Sequence, residues 1–377
     1  MTILFLCGCV EPGRDGVGDY TRKLAAEISR SGHSPMIISI NDKMIDDEFR
    51  GTQDFEGIQI PVARLPQKWE QKIRLQKLLT HIESFSPDWI SLQFVPFSFH
   101  KKGLPYQLGR LLSLARPKFW HIMIHELWVG MDKTAPLKFR ILGFLQQRLI
   151  KSLIKDIAPR KIHSQSSLYL SLLQSRGVTA DYLPLFGNIS VAEDNEQSLP
   201  GKTTATKTKT FVLFGGIHHG APIRALAQEL KNISAADGSK MILKIIGRCG
   251  PEQALWEKEW KEAGLSLEVL GEQSPEVISQ SFLSADFGIT TTPWLLVEKS
   301  GSVAAMHEHG LPILCVSRNW EVRQQFELQV LPNIARYEEG KISHLLSLPR
   351  HKTITNRAEI IAHQFLETLL PISHGKL

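Results

Sequence analysis

Short apolar runs alternate with helical patterns from one end of the chain to the other, and that alternation limits the fold more than any other feature. In the first half the runs are TILFLCG (2–8), PMIISI (35–40), IQIPVARL (58–65), DWISLQFV (88–95), FWHIMIHEL (119–127), KIHSQS (161–166) and ADYLPLF (180–186). Between them, helix-like spacing is read at 19–31, 67–85, 104–115, 136–156 and 167–176. The second half repeats the alternation with TFVLFGG (210–216), KMILKIIG (240–247), LSLEVLG (265–271), DFGITTT (286–292) and LPILCVS (311–317). Its helices are expected at 222–235, 251–263, 275–284 and 301–309, with a terminal amphipathic helix at 355–370. Strands separated by helices of this length form parallel sheets through right-handed crossovers.

The two halves are divided by GNISVAEDNEQSLPGKTTATKTK, which holds few large apolar residues and reads as an inter-domain linker or an exposed loop. The expectation is an α/β chain of two doubly wound, Rossmann-like domains. The first spans 1–187, a linker 188–209, and the second domain 210–354; a helix and tail at 355–377 would pack back on the first domain. A length of 377 residues suits two such domains.

No run approaches the ~18 consecutive apolar residues of a membrane span. The N-terminal run has no basic segment before it and carries Gly8 and Pro12 close behind, so it reads as a first strand, not a signal peptide. Cys7, Cys9, Cys249 and Cys315 lack paired spacing and read as buried thiols in a reducing cytoplasm. The net charge of +6 favours anionic partners. Among nucleotides, phospholipid surfaces and nucleic acid, nucleic acid is the weakest expectation, since no basic–aromatic interleaving, zinc-finger spacing or RNA-binding signature occurs.

In parallel sheets ligands bind beyond the carboxyl ends of the strands, so the post-strand loops are the places to search. The loop EPGRDGVGDY (11–20) carries Gly13, Gly16 and Gly18 as G-x-x-G-x-G, not the G-x-G-x-x-G of dinucleotide folds. Asp42, after the second strand, does not repair that mismatch. The glycines suit turn-making as well as phosphate approach, and Asp19 suits an N-cap as well as a site carboxylate. In EKSGSVAAMHEHG (298–310), Lys299, Ser300, Gly301 and Ser302 gather a cation, two hydroxyls and a glycine at a helix start, an arrangement fit for an anion. Arg248 supplies a second post-strand cation. Gly215 and Gly216 permit close backbone approach. The adjacent His218 and His219 lack an evident third ligand, so no metal site is expected. His125 and Glu126 follow an apolar run in the same post-strand position.

Taken in order, these segments resemble the GT-B nucleotide-sugar glycosyltransferases, particularly their large, mostly retaining family. GVGDYTRKLAAEISRSGHSPMIISI, SLQFVPFSFHKKGLP, MIHELW and LPLFGNI are similar to its N-terminal domain. KIIGRCG, ADFGITTTP and SGSVAAMHEHGLPIL are similar to its donor domain. The resemblance implies two domains facing across a cleft, with a nucleoside-diphosphate sugar as donor and transfer without a cofactor or metal. The acceptor would be a saccharide, a lipid-linked molecule or a small molecule. It implies that Gly16, Gly18 and Asp19 lie near donor phosphates and acceptor, and His125 near the transferred sugar. Arg248, Lys299, Ser300, Gly301 and Ser302 would hold the diphosphate. Asp19 and His125 are the candidate bases for inversion, whereas retention would use the leaving phosphate. Retaining members carry Glu-x7-Glu, but eight residues after Glu298 stands Met306, and Glu308 falls two residues later. Two other readings remain: a UDP-sugar 2-epimerase, and a non-catalytic subunit that binds sugar nucleotides or membranes. The segment 136–156, with Lys138, Arg140, Arg148, Lys151 and Lys155 among leucines and isoleucines, suits either peripheral contact with the inner face of a membrane or packing on its own sheet.

Overall fold

The computed structural model describes residues 1–192, 208–328, 332–354 and 356–370. Most of the expected linker at 188–209, and the tail beyond 370, lie outside the described residues. The chain folds into two compact units. Unit one comprises residues 1–184, 321–326 and 358 onward, and unit two comprises 185–320 and 327–357.

Unit one is built on an eight-stranded sheet: β1 (Thr2–Cys7), β2 (Ser34–Asp42), β3 (Phe49–Phe55), β4 (Ile58–Pro66), β5 (Trp89–Phe94), β6 (Phe119–Ile124), β7 (Lys161–Ser164) and β8 (Asp181–Tyr182). The spatial order is β3-β4-β2-β1-β5-β6-β7-β8. Every pairing except β3–β4 is parallel. β1 and β5 are buried almost throughout, as central strands of a parallel sheet are, and Ile3 to Cys7 are fully buried.

The antiparallel β3 was not legible as a strand. Its sequence, FRGTQDF, is polar and mostly exposed, and it is held by pairing with β4 at the sheet edge. Glu56 and Gly57, both with positive φ (47° and 82°), make the two-residue turn between the strands. The helix expected at 104–115 is also shorter than its pattern. Gln107 takes a left-handed conformation (φ 63°), and only Leu108–Leu112 is helical.

Helix α1 (Gly16–Arg30) starts three residues before the expected position. Asp15 caps it, its Oδ1 accepting from the Gly18 amide at 2.8 Å. The N-cap reading of Asp19 is therefore corrected: Asp19 sits inside the first turn. After α2 (Gln71–Phe85), α3 (Pro96–Phe99) and α4 (Leu108–Leu112), helix α5 (Leu137–Ile157) packs through Gly143, Gln146, Ile150, Leu153 and Ile157, and α6 (Ser167–Gln174) follows β7. Unit two carries α7 (Ile223–Asp237), α8 (Gln253–Glu262), α9 (Pro275–Ser284), α10 (Gly301–Glu308) and α11 (Ile342–Leu345); α12 (Arg357–Leu369) then returns to unit one and buries Phe365 beside Phe5 and His121.

Unit two carries six parallel strands: β9 (Thr208–Phe214), β10 (Lys240–Ile246), β11 (Ser266–Gly271), β12 (Phe287–Thr290), β13 (Ile313–Cys315) and β14 (Ile334–Arg336). Their spatial order, β11-β10-β9-β12-β13-β14, is the 3-2-1-4-5-6 order of a Rossmann sheet. Setting aside β3, unit one follows the same rule with one further strand. Each sheet therefore has a point where the strand order reverses, between β1 and β5 in unit one and between β9 and β12 in unit two. Loops part at such a point and leave room for a ligand.

Candidate active site

In unit two the loops after β9 and β12 meet at the reversal point. The Gly215 backbone has φ +80°, and a Cβ built there would lie 3.9 Å from the Ser302 Cβ. Gly216 has open space around its α-carbon. The His218 amide donates to Thr291 Oγ1 at 2.7 Å and ties the two loops together. Helix α10 (Gly301–Glu308) begins here, with Ser300 as N-cap accepting from the Val303 amide. Hydroxyls then run from Thr292 to Ser300 (3.2 Å) and on to Ser302 (3.1 Å). A strand end, a glycine pair, a hydroxyl row and a helix N-terminus thus converge, and each favours a bound anion.

Of the cations of unit two, Lys299, Arg318 and Arg248 stand beside strand ends or the α10 cap. Lys299 adjoins the α10 cap. The pKa of His218 is lowered first by desolvation and then by the charges of Lys299 and Arg318. Arg318, just after β13, therefore belongs to the same cluster, and its stem runs along Gly220. Sequence reasoning missed it, although CVSRNW places it after an apolar run just as KIIGRCG places Arg248. The Arg248 Nε lies 3.5 Å from a Glu272 carboxylate oxygen. Glu272 follows β11, on the far side of β10 from β9 and β12, so this pair spans the ends of neighbouring strands.

The two glutamates are also placed by the fold. Glu298 is buried. Glu308 lies at the other end of α10, where its carboxylate accepts from the Gly187 amide at 2.6 Å and lies 3.7 Å from Arg357. It fastens the chain entering unit two. Met306 packs its Sδ where a Cβ on Gly288 would come within 2.6 Å, so the position eight after Glu298 is sheet core.

In unit one the post-β1 loop is shaped by close approach. A Cβ on Gly18 would fall 2.6 Å from the Cys9 carbonyl oxygen, whereas Gly16 faces open space. Asp19 Oδ1 accepts from Arg22 at 2.7 Å and from the Gly13 amide at 3.0 Å, which closes the loop onto the helix. Burial, ahead of all other causes, raises the Asp15 pKa.

His125 follows β6 and is 6% exposed. Its Nε2 lies 2.9 Å from Gln93 Oε1 and its Nδ1 3.1 Å from Gln165 Oε1, with the Tyr20 ring edge-on at 5.0 Å. The row continues inward. Gln93 Nε2 donates to Ser91 Oγ (2.7 Å), Ser91 meets His121 Nδ1 (2.7 Å), and His121 Nε2 meets His163 Nδ1 (3.0 Å). Burial keeps both inner histidines neutral, His121 well below its usual pKa and His163 down to about 4. Glu126 is half-buried beside His125. Among the described residues no group of His, Cys, Asp and Glu side chains is arranged to hold a metal ion.

Solved structures share this architecture. HepE of Anabaena, in complex with UDP and glucose, superposes with a TM-score of 0.60 at 16% identity, over 98% of this chain and 99% of its own. The fold is GT-B. The catalytic domain of starch synthase IV from Arabidopsis thaliana, bound to ADP and acarbose, gives 0.53 at 13% identity over 99% and 96% of the two chains. A GT-B neighbour of another kind is a putative UDP-N-acetylglucosamine 2-epimerase of Listeria monocytogenes, at 0.53 and 9% identity over 97% and 94%. No family model and no curated protein matches the sequence.

Proposed function

We propose that the chain is a glycosyltransferase that takes its sugar from a nucleoside-diphosphate donor bound by unit two. The observation that carries this reading is the convergence of Gly215, Gly216, Ser300, Ser302, Lys299, His218 and Arg318 where the strand order of unit two reverses. Transfer of a glycosyl group leaves a diphosphate whose charge must be stabilised as the bond breaks. Fixed cations and helix amides supply that stabilisation without reorganising. The Arg318 and Lys299 side chains would neutralise the phosphates, and the first α10 amides would bind their oxygens.

Unit one would present the acceptor from the loops after β1 and β6, beside Gly16, His125 and Glu126. His125 has both ring nitrogens facing glutamine oxygens, and Asp19 is engaged by Arg22 and Gly13. Neither is set out as a general base. Retention, in which an oxygen of the departing diphosphate takes the acceptor's proton, is the route that needs neither group as a base.

Calorimetric titration with UDP, GDP, ADP and TDP, with NAD as a control, tests the donor assignment. UDP goes first because HepE was solved with it. One diphosphate should bind selectively, and Lys299→Ala and Arg318→Ala should each weaken it about tenfold or more. Arg248→Ala should change affinity by less than about threefold, as expected for a rim charge. A folded protein that binds none of the four diphosphates would sink the assignment. Interconversion of a UDP-sugar with its 2-epimer in the absence of any acceptor would favour the epimerase instead.

A further inference from the structure

We propose that the outer face of α5 seats unit one on an anionic lipid bilayer. The helix has two unlike halves. Its inner face is buried only from Gly143 onward, through Gln146, Ile150, Leu153 and Ile157. Ahead of Gly143 no residue of the helix is buried, although the sequence there is LKFRIL. Leu137 is 67% exposed, Ile141 55%, Phe144 51% and Leu145 39%. Positions 137, 141, 144 and 145 fall on one stripe of a helix, directly opposite the buried face.

The same stripe continues into the second half of the helix as Arg148, Lys151 and Lys155, all exposed. Its outward surface is therefore apolar along the first half and cationic along the second. Phe139, 41% exposed, lies on the other side of the helix, in line with Gly143 and Gln146. Lys138 lies 5.0 Å from the Phe139 ring centroid, and Arg148 lies 4.7 Å from that of Phe144.

A helix packed only on its own sheet has no use for this arrangement, because water is a poor neighbour for a contiguous apolar stripe. A bilayer surface suits both parts. The apolar half enters the acyl boundary, and the lysines and arginine rest among acidic headgroups. Among the described residues no helix is long and apolar enough to cross a membrane, so the contact is made from one side. It holds whatever donor unit two takes.

Co-sedimentation of the full chain with phosphatidylcholine vesicles, with and without phosphatidylglycerol, tests the proposal. The chain should sediment with the acidic vesicles and be released by high salt. Replacing Arg148, Lys151 and Lys155 together by Gln should weaken binding roughly a hundredfold. Replacing Leu137, Ile141 and Phe144 together by Ser should abolish it at low salt as well. These side chains are exposed, so both variants should melt at the wild-type temperature. No binding to acidic vesicles, or equal binding by the serine variant, would overturn the proposal. So would a wild-type dimer that the serine variant converts to monomer, since the face would then join two copies of the chain.

Discussion

Gly16 and Gly18 stand two residues apart at the start of α1, yet physics asks different things of them. An alanine methyl at position 18 would press on the Cys9 carbonyl from 2.6 Å, so Gly18→Ala should cost about 1–3 kcal/mol. At position 16 the methyl meets nothing within 4 Å, and Gly16→Ala should raise stability by under about 1 kcal/mol. Thermal melts of the two variants distinguish these outcomes. The sequence showed a glycine-rich loop but not which glycine was sterically required. That depends on how the helix docks on the preceding strand end. The same limit applies to charge. The Ser300 cap is local and was legible, whereas the partner of Arg248 lies after the neighbouring strand and that of Glu308 lies 121 residues away. The glutamines that hold His125 come from β5 and from the end of β7, which only the sheet order brings together.

At the scale of elements, continuous apolar runs read correctly as strands because a parallel sheet buries both faces, while β3, held by edge pairing and a turn, left no such pattern. The row from Gln93 to His163 crosses β5, β6 and β7 inside that sheet. Its inner histidines stay neutral in the folded chain and take protons near pH 6.5 once unfolded. Their lowered pKa values contribute stability fully present above about pH 6.5. That stability is lost as pH falls toward 4, because the unfolded chain then binds more protons. For His163 alone the loss between pH 7 and 5 should be about 2 kcal/mol. Urea unfolding at the two pH values should show it, and His163→Gln should reduce the difference.

For the whole molecule, α12 follows most of unit two in sequence but packs on unit one. It buries Ile361, Phe365, Leu366 and Leu369, side chains worth about 1.5–3 kcal/mol each on full burial. Ending the chain before Arg357 should therefore destabilise unit one by several kcal/mol and leave the nucleotide binding proposed for unit two in place. Differential scanning calorimetry with and without UDP checks this, since ligand raises only the transition of the unit that binds it. Residues 321–326 also join unit one, where Asp132 pairs with Val322 and Arg323 donates to the carbonyls of Asp132 and Lys133. The backbone thus passes between the units four times. A gene fragment ending at codon 184 encodes all eight strands of the first sheet, yet omits two of the pieces that complete it. Swapping unit two between relatives by a single crossover would leave unit one with a borrowed α12, so recombination here must exchange at least two segments to exchange one unit.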